Sequence, residues 1–160
     1  MSRWFRTYGF AEVLGDLLVG AYPLDQDDVD VLARLGTRRV LNLCEDEEYR
    51  PGERQTVERA LAAAEIAECR MMVTDYGSLP AGRIEAAVLQ IDRWLDEGAL
   101  TYLHCRAGWQ RSAAVAAGVV ALRTGVEIDE ALAAVRSRKP SADPLPHQQD
   151  DLRRWWAARS

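Results

Sequence analysis

Histidine, cysteine and long apolar runs are the scarce elements of this 160-residue chain. Two histidines, His104 and His147, and three cysteines at irregular spacing, Cys44, Cys69 and Cys105, form no paired metal-ligand dipeptides and no zinc-like spacing. No metal and no other cofactor is expected. An odd cysteine count does not fit a disulfide framework and leaves at least one free thiol. The longest apolar run, residues 113–122, is too short to span a bilayer. The opening MSRWFRTYGF lacks the apolar core of a signal peptide. A cytoplasmic protein without stable membrane insertion is expected. Basic residues are outnumbered, 20 against 25 acidic, and the net charge of −5 argues against a nucleic-acid partner.

What is present fits an ordinary globular protein. Hydrophobic residues make up 48% and charged residues 28%, so neither disorder nor a fibrous repeat is indicated. The length suits one domain over residues 1–160, with one sizeable core. Short β-rich runs at residues 17–21, 39–44, 67–73 and 100–104 alternate with segments of helical periodicity, and residues 10–14 add an edge strand. The alternation predicts an α/β fold with a mainly parallel central sheet flanked by helices. The helical segments include residues 27–35, ending at Gly36, a mostly buried helix over 111–124, and a last one after Pro146 with Leu152, Trp155 and Trp156 on one face. Loops after the strands carry CEDEEYRPGE, TDYGSLPAG and CRAGWQ. In such sheets ligands bind beyond the carboxyl ends of the strands, so the three loops meet at one edge.

The run His104-Cys105-Arg106-Ala107-Gly108-Trp109-Gln110-Arg111-Ser112 joins a strand to a helix. Five residues between Cys105 and Arg111 suffice to wrap backbone N–H groups around a tetrahedral dianion, with Gly108 permitting its close approach. The positive end of the helix starting near Arg111 points at the same spot and favours the thiolate, the form that attacks phosphorus. Arg111 then binds two equatorial phosphoryl oxygens in a fork that lysine does not offer. Residues 106–110 are the expected substrate-binding cradle.

This stretch resembles the H-C-x5-R-[S/T] signature of the protein tyrosine phosphatase superfamily, and the chain length looks like its dual-specificity branch. The resemblance, spanning residues 17–155, implies a phosphatase that forms a phosphocysteine at Cys105. It implies that His104 supports the loop by hydrogen-bonding its backbone and that Ser112 donates to the Cys105 sulfur. The family places a general acid about thirty residues before its cysteine, and Asp75 stands thirty positions upstream, after a strand and between loop-forming residues. Glu45, Asp46, Glu47 and Glu48 are rival acids, although their clustering reads first as a solvated acidic loop. Residues 42–49 look like the matching segment of lipid-directed and phosphatidylglycerophosphate-type members. Trp109 and Gln110, however, stand where those members commonly carry basic residues, leaving Arg106 as the extra cation. A dual-specificity protein phosphatase is the leading expectation, acting on a phosphorylated protein or a small phosphate ester. A lipid or metabolite phosphatase, a phosphate-binding pseudophosphatase and a rhodanese-like sulfurtransferase are the alternatives. Cys44, at the end of a strand expected beside that of Cys105, is a candidate redox partner for it. A buried apolar role for Cys44 is the competing reading.

Overall fold

Alternation of side chains along the strands decides the layering. Leu17, Val19, Leu41 and Leu103 belong to one apolar cluster, while their neighbours Leu18, Val40 and Tyr102 belong to another. A strand whose residues are apolar on both faces is covered by helices on both. The computed structural model describes residues 1–159. Its elements run α1 Arg3–Tyr8, β1 Phe10–Leu14, β2 Leu17–Gly20, α2 Gln26–Arg34, β3 Arg39–Asn42, α3 Glu53–Ala63, β4 Ala67–Arg70, α4 Ala81–Asp96, β5 Thr101–His104, α5 Arg111–Thr124, α6 Ile128–Arg138 and α7 Pro146–Arg159. A single 3-10 turn, Asp46–Glu48, follows β3. The sheet order is β1-β2-β5-β3-β4, with β1 antiparallel to β2 and the other pairings parallel.

One face packs on α4, α5, α6 and α7 through residues such as Ile84, Val88, Val115, Leu132 and Leu152. The other packs on α1, α2 and α3 through Phe5, Val29, Leu32, Val57 and Leu61. Because α5 lies between the sheet and its neighbouring helices, every residue from Arg111 to Ala121 is buried. Among the described residues, no helix is long and apolar enough to cross a membrane.

Three expected strands end earlier than their apolar runs. Beyond Gly20, Asn42 and Arg70 the chain keeps single bonds, with Leu43 N–H on His104 O and Val73 N–H on Leu43 O at 3.0 Å each, but splays to form loops. The first helix was absent from the sequence expectation. Ser2 caps it, its Oγ accepting the Phe5 N–H at 3.3 Å, and Gly9 ends it with φ +57°.

Candidate active site

The central strand β5 delivers Cys105 between two parallel neighbours, and α5 begins six positions later at Arg111. Between them the backbone turns its carbonyls outward. Arg106 O accepts from Tyr22 N–H (3.1 Å) and Trp4 Nε1–H (2.7 Å), Trp109 O from Asp143 N–H (2.6 Å), and Gln110 O from Ala114 N–H (2.9 Å). Among the described residues, no hydrogen bond engages the backbone N–H groups of residues 106–111. An array of N–H groups free of protein acceptors at a helix N-terminus has the donors and the dipole that suit an anion. Cys105 Sγ sits beside it, 3% exposed, 3.1 Å from Ser112 Oγ.

Gly108 is held close against β2. Its φ is +78°, and a Cβ there would stand 2.6 Å from the carbonyl carbon of Gly20. The cradle presses on β2 at two glycines; Gly20 in turn has Gly9 O, Phe10 Cβ and the Tyr102 hydroxyl around its own missing Cβ. The α-carbon side of Gly108 is therefore packed on β2, while its N–H belongs to the unpaired array.

Arg111 is held as a fork. Nη1 donates to Glu48 Oε2 (2.8 Å) and Val73 O (2.9 Å), and Nη2 donates to Glu48 Oε1 (2.7 Å). Asp75 Oδ1 stands 3.2 Å from Nη2. Among the described residues the buried Nε–H has no hydrogen-bond partner, which leaves that edge of the guanidinium free for an acceptor. Burial acts to lower the Arg111 pKa, yet the Glu48 hydrogen bond and nearby charge hold it raised. Burial likewise pushes the Glu48 carboxyl up, and its bonds from Arg111 and the Glu45 N–H hold it below the ordinary carboxylate range.

The acidic loop of residues 45–48 is exposed at Asp46 and Glu47, as expected, but not at Glu48. Glu48 is only 9% exposed at its side chain and orients the arginine; Asp46 pairs with Arg70; Glu45 Oε2 accepts from Thr74 Oγ at 3.3 Å. The Glu-x-x-Glu spacing of a capping box was present in the sequence, but nothing local announced that Arg111, far along the chain, would lie opposite.

The remaining expected site residues gather at the same edge. Asp75, Cys105, Arg106, Ala107, Trp109, Gln110 and Arg111 line one pocket of about 160 Å3, joined by Trp4, Tyr8 and Tyr76. Trp109 meets Tyr8 edge-on at 5.5 Å, and the Arg106 guanidinium lies 5.0 Å over Trp4. The aromatics of α1 are therefore pocket walls that sequence reading missed. His104 is buried and neutral. Its Nδ1–H donates to Cys105 O at 3.0 Å, and burial pushes its pKa down to about 4. Cys44 is buried between Tyr22 and Tyr49, and burial raises its thiol pKa well above the ordinary value. Cys69 lies on edge strand β4, with β3 between it and β5.

The loop carrying Asp75 hangs from α7, a second feature the sequence did not announce. His147 Nε2 faces Tyr76 O (3.1 Å) and Gly77 O (3.2 Å), Gln148 Nε2 donates to Gly77 O (3.1 Å), and Asp151 Oδ2 accepts the Leu79 N–H (2.8 Å).

A buried thiol and a forked arginine lining one pocket at the helix end of a parallel-centred α/β sheet match the class of cysteine-dependent phosphatases with a dual-specificity-like fold. The chain belongs to the family described as PTP-SAK, Swiss Army Knife protein, DSP-PTPase phosphatase domain, whose model matches residues 13–149. Among solved structures, Tk-PTP in its active form is similar at TM-score 0.80 and 22% identity over 91% of this chain and 95% of that one. PTPMT1 in complex with PI(5)P is similar at 0.80 and 20%, over 94% and 99%. Human DUSP28 is similar at 0.74 and 22%, over 94% and 95%. No curated protein sequence matches the chain.

Proposed function

We propose that the chain hydrolyses phosphate monoesters through a phosphocysteine and accepts aryl as well as alkyl esters, as a dual-specificity phosphatase does. The observation that carries this reading is the unpaired run of N–H groups at residues 106–111 next to Cys105, with Arg111, its Nε unpaired, lining the same pocket. The Cys105 sulfur attacks phosphorus as the ester oxygen leaves. Arg111 and the cradle hold the three non-bridging oxygens, whose charge redistributes in the transition state. Asp75 gives its proton to the departing oxygen. Water then attacks the phosphocysteine, Asp75 takes a proton from it, and Ser112 hydrogen-bonds the sulfur as it leaves as thiolate. Trp4, Tyr8, Tyr76 and Trp109 around the pocket suit an aromatic leaving group.

Presence of the thiol, arginine, carboxylate and serine in one site supports turnover over phosphate binding alone. A lipid or metabolite ester is the second reading, supported by the fold shared with the PI(5)P-bound PTPMT1 structure. The redox role of Cys44 belongs to the same proposal. It is supported by the pairing of Asn42 with His104, which puts the ends of β3 and β5 side by side.

The test is a pair of variants. Cys105→Ser is expected to lose turnover while still binding vanadate. Asp75→Asn is expected to lower kcat by roughly 10²–10⁴-fold for alkyl phosphates and far less for p-nitrophenyl phosphate. Wild-type turnover by Cys105→Ser, or equal loss on both substrates in Asp75→Asn, would remove the assignment.

A further inference from the structure

Beside the cradle, α1 and the chain following the acidic turn enclose a groove of about 600 Å3. It shares Trp4, Tyr8 and Arg106 with the catalytic pocket. The groove and the pocket at Cys105 therefore adjoin across the stacked Trp4 and Arg106 side chains. Three guanidinium groups line it, those of Arg3, Arg50 and Arg106. Among the described residues none of the three forms an ion pair.

Two carboxylates border the groove, and both are engaged. Glu48 is committed to Arg111, and one oxygen of Glu53 accepts the Arg50 N–H at 2.7 Å. Positive charge is in surplus here on a chain whose net charge is −5. Guanidinium groups match phosphate and carboxylate oxygens bidentately. The residual charge of Glu53 suits the groove to one added anionic group and opposes a polyanion.

We propose that this groove binds a second anionic group of the substrate, so that the preferred substrate is a small phosphate monoester carrying a further phosphate or carboxylate. The inference rests on the phosphatase reading above and narrows it.

The test compares phenyl phosphate with phenylene 1,3-bisphosphate, and a soluble cyclitol monophosphate with its bisphosphate. The same cyclitol groups are also presented as lipid headgroups in phosphatidylcholine vesicles. Wild type is expected to show kcat/KM at least about tenfold higher for the bis-anionic member. In an Arg3→Gln, Arg50→Gln double variant the preference should fall to within about threefold while phenyl phosphate turnover is unchanged. The preference should also shrink as salt rises, because exposed guanidinium attraction is screened. A gain in the soluble arm assigns free esters, and a gain confined to vesicles assigns headgroups. No preference in either arm, or a preference that survives the double variant, overturns the proposal. So does a doubly phosphorylated peptide that outpaces every small bisphosphate. Calorimetry of the bisphosphate on Cys105→Ser separates the two readings. Binding that depends on Arg3 and Arg50 without wild-type turnover removes the phosphatase reading alone.

Discussion

Gln148→Leu isolates the tie between α7 and the acid loop. Gln148 is fully buried, and leucine fills a similar volume, so the change removes two hydrogen bonds more than it removes packing. Those bonds are Nε2 to Gly77 O and Leu145 N–H to Oε1, both at 3.1 Å. Without them Gly77 O keeps His147 at 3.2 Å, while the Leu145 N–H has no acceptor. Orphaning a fully buried donor costs about 1–3 kcal/mol, and for the half-buried Leu145 N–H the expected loss of global stability is about 1–2 kcal/mol. Of that, about 1.4 kcal/mol falling on the placed arrangement of residues 75–79 makes it about tenfold rarer. Turnover of alkyl phosphates, which in the proposed mechanism need Asp75 to protonate the leaving oxygen, should then drop up to about tenfold. Turnover of p-nitrophenyl phosphate should hold within twofold or so. The assay is kcat/KM across aryl and alkyl phosphates of graded leaving-group basicity, with a denaturant midpoint on the same preparations. A drop equal across the series would show a merely structural side chain. Full activity on every substrate despite the stability loss would refute the claim that α7 positions the acid.

Gly108→Ala should lose about 2–4 kcal/mol in denaturant unfolding, from the left-handed backbone cost and the overlap with Gly20; a loss under about 0.5 kcal/mol would contradict the contact. His104 is neutral in the fold down to about pH 4 but protonates in the unfolded chain near pH 6.5. The unfolded state therefore binds the extra proton between those values, and stability falls by about 3 kcal/mol as pH drops through that window. His104→Gln should flatten that segment of the curve, and an unchanged slope would count against the burial argument. Peroxide should convert Cys105 to a sulfenic acid, which the Cys44 thiol condenses with to give a disulfide and water. Mass spectrometry should find that crosslink, and Cys44→Ser should recover less activity on reduction; equal recovery without a crosslink rules it out.

Much of this was legible from residue order because it depends on local chemistry. The limits of α5, residues 111–124, followed from a continuous apolar run between Arg111 and Gly125. The edge strand and the parallel centre followed from short runs broken by helical periodicity, while the antiparallel direction of that edge strand did not. The signature placed Cys105, Arg111 and Ser112 together because a strand, a tight loop and a helix leave few other arrangements. What stayed hidden is held by distant partners. α1 has six residues, too few to persist on propensity, and is fixed by Phe5 in the core and Trp4 on Arg106 O. Glu48 was one of four acids in a row until Arg111 selected it. Gly108 stood out as a point of close approach, and only the path of β2 shows that backbone packs on its α-carbon.

The position of β5 in the sheet has a kinetic consequence. Its backbone is bonded on both sides, to β2 and to β3, and all four of its residues are buried. Amides there should exchange with solvent only on global opening, the slowest class in the molecule. The segment around Asp75 has exposed residues at Thr74 and Tyr76 and is tied mainly through α7. It belongs to the class that opens locally. The two halves of the chemistry thus sit at opposite ends of the molecule's own scale of rigidity. Gentle warming should strip away proton donation to poor leaving groups while the thiol and its cradle still capture phosphate.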